Sequence, residues 1–379
     1  MLGLFRTRRE PLDFAQIIGS CTDDSRKAGT SWDNVNVADG SNKMAQELAR
    51  YFIDFHKGLL EVPEMEGLLE PSASLANYRA LELARNTTGK NKVLCSNLSH
   101  VSIARATDSL RLELIVLDID PRNYQVSDEE VARAISEHGN DIAAIVSTYG
   151  TTQLGHIERL AQNELVRQLR SEGAWLHVDA AYGGYIGKLS RHLKAEIPEA
   201  DSITIDPYKF VGKPGVALLL VDGEKRQTPT VDYFVHAPNT VHTTLSAGPI
   251  AAWGKTVSDC GDVYGLREIA DQCVEIAKLS ANDLRRKGVS LIHFPEMSIV
   301  PVALGSPKEV DYVHTKLLSE GFGVGKVHVV GRDYEVNGVR MVVTPKVNPD
   351  WMYGTASKLV DKIAEAMKTP APYLETNTY

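Results

Sequence analysis

The chain has 379 residues, 43% hydrophobic and 24% charged, with 41 lysines and arginines against 49 aspartates and glutamates, for a formal net charge of -8. That acidic balance argues against nucleic acid as a partner, because phosphate binding requires concentrated positive charge. No apolar run approaches the roughly 20 residues that span a bilayer, so we expect no membrane partner and a cytoplasmic protein.

The first predicted element is an amphipathic helix over residues 43–60, which we group with residues 1–42 as an N-terminal arm and helix, 1–60. From about residue 70, helices and strands then alternate. The predicted strands are 92–96, 112–119, 142–150, 175–181, 202–206 and 216–221, and the predicted helices are 76–85, 101–110, 128–138 and 158–172. This alternation predicts an α/β domain over residues 61–287, with a mostly parallel central sheet flanked by helices.

Helices over 249–261 and 266–288 close that domain, and a small C-terminal α+β domain is predicted over 288–379. Its strands are expected at 298–304 and 339–345, and its helices at 310–321 and 352–367. The glycine run GFGVGKVHVVG (Gly321–Gly331) follows a helix, whereas nucleotide-binding glycine loops follow a strand. We therefore interpret it as a helix end and turn.

The four cysteines and the histidines give no sign of a metal site. Cys21, Cys95, Cys260 and Cys273 form no CxxC pair, and we read them as free thiols in a reducing compartment. His177 shares a strand face with Asp179, but no third ligand lies nearby in sequence. We expect no metal.

Two strand ends carry charged residues. The run WLHVDAAYGGY ends a hydrophobic strand with Asp179, and SITIDPYKF ends the next one with Lys209. In a doubly wound sheet, ligands bind outside the carboxyl ends of the strands, so both groups are expected at one edge. An acid there can hold a protonated ring nitrogen, and a lysine beside an apolar wall can act as a nucleophile that forms a Schiff base.

These stretches resemble the group II decarboxylases, which use pyridoxal 5'-phosphate (PLP) on a type I aminotransferase-like fold. HVDAAYGG and DSITIDPYK are similar to two signatures of that family, and EPSASLANYRAL, SNLSHVSIARAT and STYGTTQLGHIE match others in the same order. The resemblance runs from about residue 70 to the C-terminus and is strongest to the short archaeal tyrosine/aspartate decarboxylase branch. It implies a homodimer with the site at the subunit interface.

The resemblance also implies roles around the cofactor ring. Lys209 would form the Schiff base, and Asp179 would pair with the pyridine nitrogen. His100 would stack on one ring face and Ala181 on the other. Thr148 would lie near the ring hydroxyl or the substrate carboxylate.

Further roles concern the phosphate and the substrate. Ala73 and Ser74 would hold the phosphate at a helix N-terminus, and Ser202 would contact either the phosphate or a strand end. Ser246 would reach a neighbouring subunit's phosphate. Arg340 would bind a substrate carboxylate.

Several positions depart from the family pattern. Tyr208 stands where a histidine usually precedes the lysine, and Ala247 replaces an arginine. Lys346 stands where a histidine is usual, and the phosphate turn has Ser72-Ala73 in place of two glycines.

The leading hypothesis is therefore α-decarboxylation of an L-amino acid, with His100 or Tyr208 supplying a proton. The alternatives are a PLP-dependent carbon–carbon or carbon–sulfur lyase, a decarboxylative condensation enzyme, and a degenerate homologue without activity. Retention of both Lys209 and Asp179 argues against the last of these.

Overall fold

The computed structural model describes residues 35–37, 42–193, 196–225, 244–345 and 349–368. The predicted arm before residue 35, Cys21 and Lys346 lie outside this part of the chain. Helix α1 (Lys43–Leu60) has the predicted limits, and the Asn42 side chain caps it by accepting a hydrogen bond from Ala45 N. Its apolar face packs on the main core, where the rings of Phe52 and Trp253 lie 4.8 Å apart.

A seven-stranded sheet forms the centre of the fold, in the order β1-β9-β8-β7-β6-β2-β3. The strands, with a short hairpin β4–β5, are β1 (Met65–Glu70), β2 (Lys92–Ser96), β3 (Glu113–Leu117), β4 (Ile119–Asp120), β5 (Gln125–Val126), β6 (Ile142–Thr148), β7 (Trp175–Asp179), β8 (Ser202–Ile205) and β9 (Ala217–Asp222). Only β9 of the described sheet runs against its neighbours, since it pairs antiparallel with both β8 and β1. The mostly parallel sheet is confirmed, although β1 was not predicted.

Helices cover both faces of this sheet. They are α2 (Ala73–Thr88), α3 (Val101–Ser109), α4 (Asp128–His138), α5 (Glu164–Ser171), α6 (Gly183–Leu189), α7 (Gly248–Asp259) and α8 (Asp262–Arg286). The helix predicted over 158–172 is shorter in the structure, because Asn163 starts α5 by accepting hydrogen bonds from Leu165 N and Val166 N. Helix α6 was not predicted.

Helix α2 lies close over the sheet because its inner face is built from small residues. Ala76, Ala80 and Ala84 are fully buried there. The strand beneath alternates: Leu176 and Val178 of β7 join the opposite core layer. The remaining β7 residues (Trp175, His177 and Asp179) therefore face α2, and all are buried.

The C-terminal part has its own three-stranded antiparallel sheet, with β12 in the middle. Its elements are β10 (Ile299–Leu304), α9 (Pro307–Ser319), β11 (Gly325–Val330), β12 (Glu335–Val342) and α10 (Pro349–Lys368). Helix α8 contributes to the main core through Leu266 and Val274, and to the C-terminal core through Ala277 and Ala281. The domain boundary at residue 288 stays a prediction.

The interpretation of Gly321–Gly331 as a helix end and turn was wrong for its second half. Gly321 does follow α9 with a φ of +86°, but residues 325–330 form β11. Val327 and Val329 are buried while Lys326 and His328 are exposed, and this alternation of period two is the signal of a strand.

None of the helices in the described part of the chain combines the length and the apolar character that a membrane span requires.

Replacing Gly183 by alanine should destabilise the fold. A Cβ at this position would lie far inside contact distance of the Tyr149 carbonyl oxygen, so the backbone has to move. Overpacking of this kind costs about 1–3 kcal/mol, which urea unfolding of the purified protein would measure. Gly354→Ala is the matched control, because nothing lies near its Cβ and alanine favours the interior of α10. Equal stability of the two variants would contradict the close packing at Gly183.

Candidate active site

A cavity opens at the carboxyl edge of the central sheet, where β7, β8 and the start of α2 meet. It is lined by Ser72, Ala73, Ser74, Asn77, His100, Asp179, Ala181, Asp206, Tyr208 and Lys209. The two strand-end charges predicted to share one edge, Asp179 and Lys209, thus line the same cavity.

Strand β7 brings Asp179 into this cavity with little exposure to solvent. Its side chain is 4% exposed, and each carboxylate oxygen accepts a hydrogen bond. Asn77 Nδ2 donates to Oδ2 at 2.9 Å, and the backbone N–H of Ala181 donates to Oδ1 at 3.1 Å. Such donors compensate for the water that a buried carboxylate loses.

Lys209 is held in a tight turn just beyond β8. A 3-10 turn over Pro207–Lys209 follows Asp206, and the Lys209 N–H donates to the Asp206 carbonyl at 3.2 Å. Gly212 and Gly215 then adopt φ values of +120°, which side chains disfavour, and the chain returns into β9. The lysine is therefore anchored between two core strands.

The first turn of α2 forms another wall of the cavity. Ser72 caps this helix by accepting a hydrogen bond from Leu75 N, and Ala73 and Ser74 line the cavity. The N-terminus of a 16-residue helix carries partial positive charge and directs backbone N–H groups outward. It therefore suits a phosphate group.

His100 caps the next helix, α3, and its ring lines the cavity. The backbone N–H of Ser102 donates to Nδ1 at 3.2 Å. Burial lowers the pKa of this histidine, and the nearby charge of Lys209 lowers it further. The ring is thus mainly neutral at pH 7.

Two lining residues were missed by the sequence reasoning, Asp206 and Asn77. Asp206 is 2% exposed, and its Oδ1 has no hydrogen-bond partner among the described residues. Burial raises the pKa of Asp206 to about 6, the charge of Asp179 acts in the same direction, and Lys209 opposes both. Its position between a strand end and the lysine was the available signal. For Asn77, the signal was a polar residue on the apolar face of a helix.

Other predicted site residues do not line the cavity. Thr148 lies beside Asp179 in the sheet register, and its buried Oγ1 has no partner within the described chain. Arg340 donates to the carbonyl of Thr152, and Ser246 accepts a hydrogen bond from Gly248 N near the start of α7.

Ser202 needs a correction. The register pairs it with His177, two residues before Asp179, so it lies at the opposite end of β8 from Lys209. Its hydroxyl contacts Trp175 Nε1 and His177 Nδ1, each at 2.8 Å. It supports the strand beneath the cavity rather than a phosphate.

Comparison with known proteins gives a consistent picture. The family profile described as "Pyridoxal-dependent decarboxylase conserved domain" matches residues 75–226, a range that holds His100, Asp179 and Lys209. The chain is 29% identical over 305 residues to a probable L-tyrosine/L-aspartate decarboxylase of Methanothermobacter thermautotrophicus, covering 75% of this chain and 82% of that one. It is 27% identical over 322 residues to the L-aspartate decarboxylase of Thermococcus kodakarensis, covering 80% and 79%. Over the residues that hold the candidate site, the chain is thus similar to the pyridoxal-dependent decarboxylase family.

Solved structures of a decarboxylase and of a lyase share the fold of this chain. A glutamate decarboxylase of Lactobacillus brevis superposes with a TM-score of 0.74 at 18% identity, over 95% of this chain and 86% of that one. A sphingosine-1-phosphate lyase of Burkholderia pseudomallei gives 0.73 at 18% identity, over 93% and 82%. The type I fold expected from the sequence is confirmed.

The cofactor of the family is PLP, and the residues present fit it. The cavity offers an amine, a buried carboxylate and a helix N-terminus, the three groups that can meet its aldehyde, its ring nitrogen and its phosphate. The buried Thr148 Oγ1 and Asp206 Oδ1, which lack partners in the described structure, are further polar atoms next to the same strand ends.

The contribution of Asp206 to the stability of the cofactor-free protein should fall as the pH rises from about 4 to about 6. Over this window the folded protein still holds the Asp206 proton, whereas the unfolded chain, with a pKa near 3.8, has released it. Asp206→Asn removes this penalty and should stabilise the protein at pH 7 by up to about 3 kcal/mol, with no gain below pH 3.

Thermal unfolding across pH 3–8 would measure this difference. The exposed carboxylate of Asp108 provides a control, and Asp108→Asn should follow the wild type at every pH. Parallel curves for Asp206→Asn and the wild type would show that the Asp206 pKa is not raised.

Proposed function

We propose that the protein decarboxylates an L-amino acid at Cα, using PLP bound between Lys209 and Asp179. The observation that carries this proposal is that these two side chains line one cavity together with the N-terminus of α2. The similarity of residues 75–226 to the pyridoxal-dependent decarboxylase family supports the same reaction class.

In this proposal each lining group holds one part of the cofactor. Lys209 Nζ would hold its aldehyde carbon, Asp179 would accept a hydrogen bond from its protonated ring nitrogen, and the N–H groups of Ala73 and Ser74 would hold its phosphate. His100 and Ala181 would contact the ring faces. Thr148, beside Asp179 in the register, would bond the ring hydroxyl or the substrate carboxylate.

When bound, the cofactor supplies an electron sink that stabilises the negative charge left on Cα after carbon dioxide departs. Asp179 maintains that capacity, because a buried carboxylate favours the protonated form of the nitrogen that faces it. Two hydrogen bonds from the protein keep Asp179 oriented while it does so.

Binding of the substrate carboxylate is assigned to Arg340. Its guanidinium is mostly buried, and its Nε has no hydrogen-bond partner among the described residues. Burial lowers the pKa of Arg340 without removing its charge near pH 7. The charge of Arg340 also contributes to lowering the pKa of His100, which lines the cavity.

We also propose that the enzyme acts as a homodimer in the cytoplasm. Leu75, Val101 and Tyr208 are 40%, 52% and 47% exposed, and they lie at or beside residues that line the cavity. Apolar exposure around a cavity favours a second subunit there, to which Ser246 would contribute. Cys95, Cys260 and Cys273, the described cysteines, are unpaired thiols, as expected in a reducing compartment. Sedimentation of the purified protein would measure the assembly state.

Lys209→Ala should abolish both covalent attachment of PLP and carbon dioxide release. The wild-type protein with PLP should be yellow, and borohydride reduction followed by peptide mapping should place the cofactor on Lys209. Lys213→Ala removes an exposed lysine of the same turn and should behave as the wild type.

The reaction class is tested with a panel of L-amino acids and a carbon dioxide assay. Stoichiometric amine and carbon dioxide support decarboxylation. Amine without carbon dioxide, or sulfide release, would identify one of the lyase alternatives instead. A protein whose spectrum does not respond to added PLP would contradict the whole proposal.

Tyr208→Phe should lower kcat about 100-fold with little change in the dissociation constant of PLP. Tyr208 lines the cavity with a phenol, and a positioned proton donor contributes about 10²–10⁴ to a rate. Tyr208→His restores a titratable donor and should retain more activity than Tyr208→Phe. An unchanged kcat in Tyr208→Phe would assign the proton to His100.

A further inference from the structure

Asn77, in the second turn of α2, contacts three polar side chains at once. Its Nδ2 lies 2.9 Å from Asp179 Oδ2 and 2.9 Å from Ser102 Oγ, and its Oδ1 lies 3.1 Å from His177 Nε2. The side chain is 1% exposed. Both N–H groups and the carbonyl oxygen of the amide therefore have hydrogen-bond partners within the protein.

The charge of Asp179 fixes which way this amide points. A carboxylate only accepts hydrogen bonds, so the NH₂ group must face Asp179 and the carbonyl oxygen must face His177. His177 Nε2 must then carry a proton to donate to that oxygen. The ring is fully buried, and burial lowers the pKa of His177 to about 4, so it is neutral and its Nδ1 is an acceptor.

The network continues beneath the strand to an indole. Ser202 Oγ lies 2.8 Å from His177 Nδ1 and 2.8 Å from Trp175 Nε1. Since an indole N–H only donates, Ser202 accepts from Trp175 and donates to His177. Every hydrogen bond from Trp175 through Ser202, His177 and Asn77 thus points towards Asp179.

A second branch runs from Asn77 to His100. The other N–H of Asn77 donates to Ser102 Oγ, which lies 2.8 Å from His100 Nδ1. The Ser102 backbone N–H donates to His100 Nδ1, which makes Nδ1 an acceptor, so the Ser102 hydroxyl donates to it as well. The proton of the neutral His100 ring is placed on Nε2.

We propose that Asn77 is a positioning residue that holds Asp179 and sets the protonated nitrogen of His177. Resting on the proposed function, its amide fixes the carboxylate that meets the cofactor nitrogen and, through the Ser102 hydroxyl, positions the histidine that contacts the cofactor ring. It touches no reacting atom itself.

Two substitutions separate the roles of the amide. Asn77→Asp keeps the shape and the acceptor for His177 but removes both N–H donors and puts a second carboxylate beside Asp179. Asn77→Ala removes donors and acceptor together. Asn337→Ala is the control, because Asn337 is another buried asparagine, bonded to His328 at 2.9 Å in the C-terminal sheet.

The first readout uses the cofactor-free protein with ¹⁵N-labelled histidine, in which NMR identifies the protonated ring nitrogen. In the wild type, His177 and His100 should both carry the proton on Nε2 alone. Asn77→Asp should keep this state at His177, whereas Asn77→Ala should lose it there. His100 should keep it in both variants, because the Ser102 backbone N–H still donates to its Nδ1. Asn337→Ala should change neither.

The second readout is the dissociation constant of PLP. Loss of a hydrogen bond to a charged group weakens binding about 10–100-fold. Both Asn77 variants should therefore bind PLP that much more weakly, and Asn77→Asp at least as weakly as Asn77→Ala.

The two readouts distinguish this inference from the proposed function. Wild-type His177 with the proton on Nδ1 would overturn the inference without any substitution. Wild-type PLP affinity in Asn77→Asp would also overturn it. If the wild type binds no PLP, the proposed function fails, and the His177 state still decides whether Asn77 sets it.

Discussion

Burial of the Asp179 carboxylate is the constraint around which the site is organised. The carboxylate lies at the end of a central strand, where lost hydration has to be replaced by donors. One donor is the next turn of the chain, and the other is Asn77, 102 residues earlier. That second contact requires α2 to lie close to the sheet, which its buried alanines allow. The N-terminal end of α2, which we propose holds the phosphate, and the acid beneath it are thereby fixed by a single packing arrangement.

The arrangement leaves the cofactor-free protein with unfavourable electrostatics. Asp179 and Asp206 line the same cavity, and Lys209 is the cation between them. Two carboxylates in a poorly hydrated space raise each other's free energy when both are ionised. A ligand that brings a protonated nitrogen to one of them relieves part of this cost. Binding energy is therefore available from the protein before any contact with the substrate.

Most strands and the shared edge of Asp179 and Lys209 could be predicted, because hydrophobic runs and strand-end charges are local signals. β1 and β11 were harder, since MEGLLE and GKVHVV are short and begin beside glycine or acidic residues. The position of Ser202 depends on the register between β7 and β8, which decides which residues of the two strands lie side by side. A register joins residues that are distant in sequence, so no local pattern reveals it. Asn77 was missed for the same reason, as its partners are distant in sequence.

Strand β9 has a kinetic consequence for how the protein is made. It completes the sheet by pairing with β8 on one side and β1 on the other, although β1 and β9 lie roughly 150 residues apart. A ribosome therefore has to release the chain beyond residue 222 before β1 finds its partner. Until then β1 lacks its pairing partner and its backbone N–H and C=O groups are unpaired. An unpaired strand exposes the nascent chain to aggregation and makes it a substrate for chaperones.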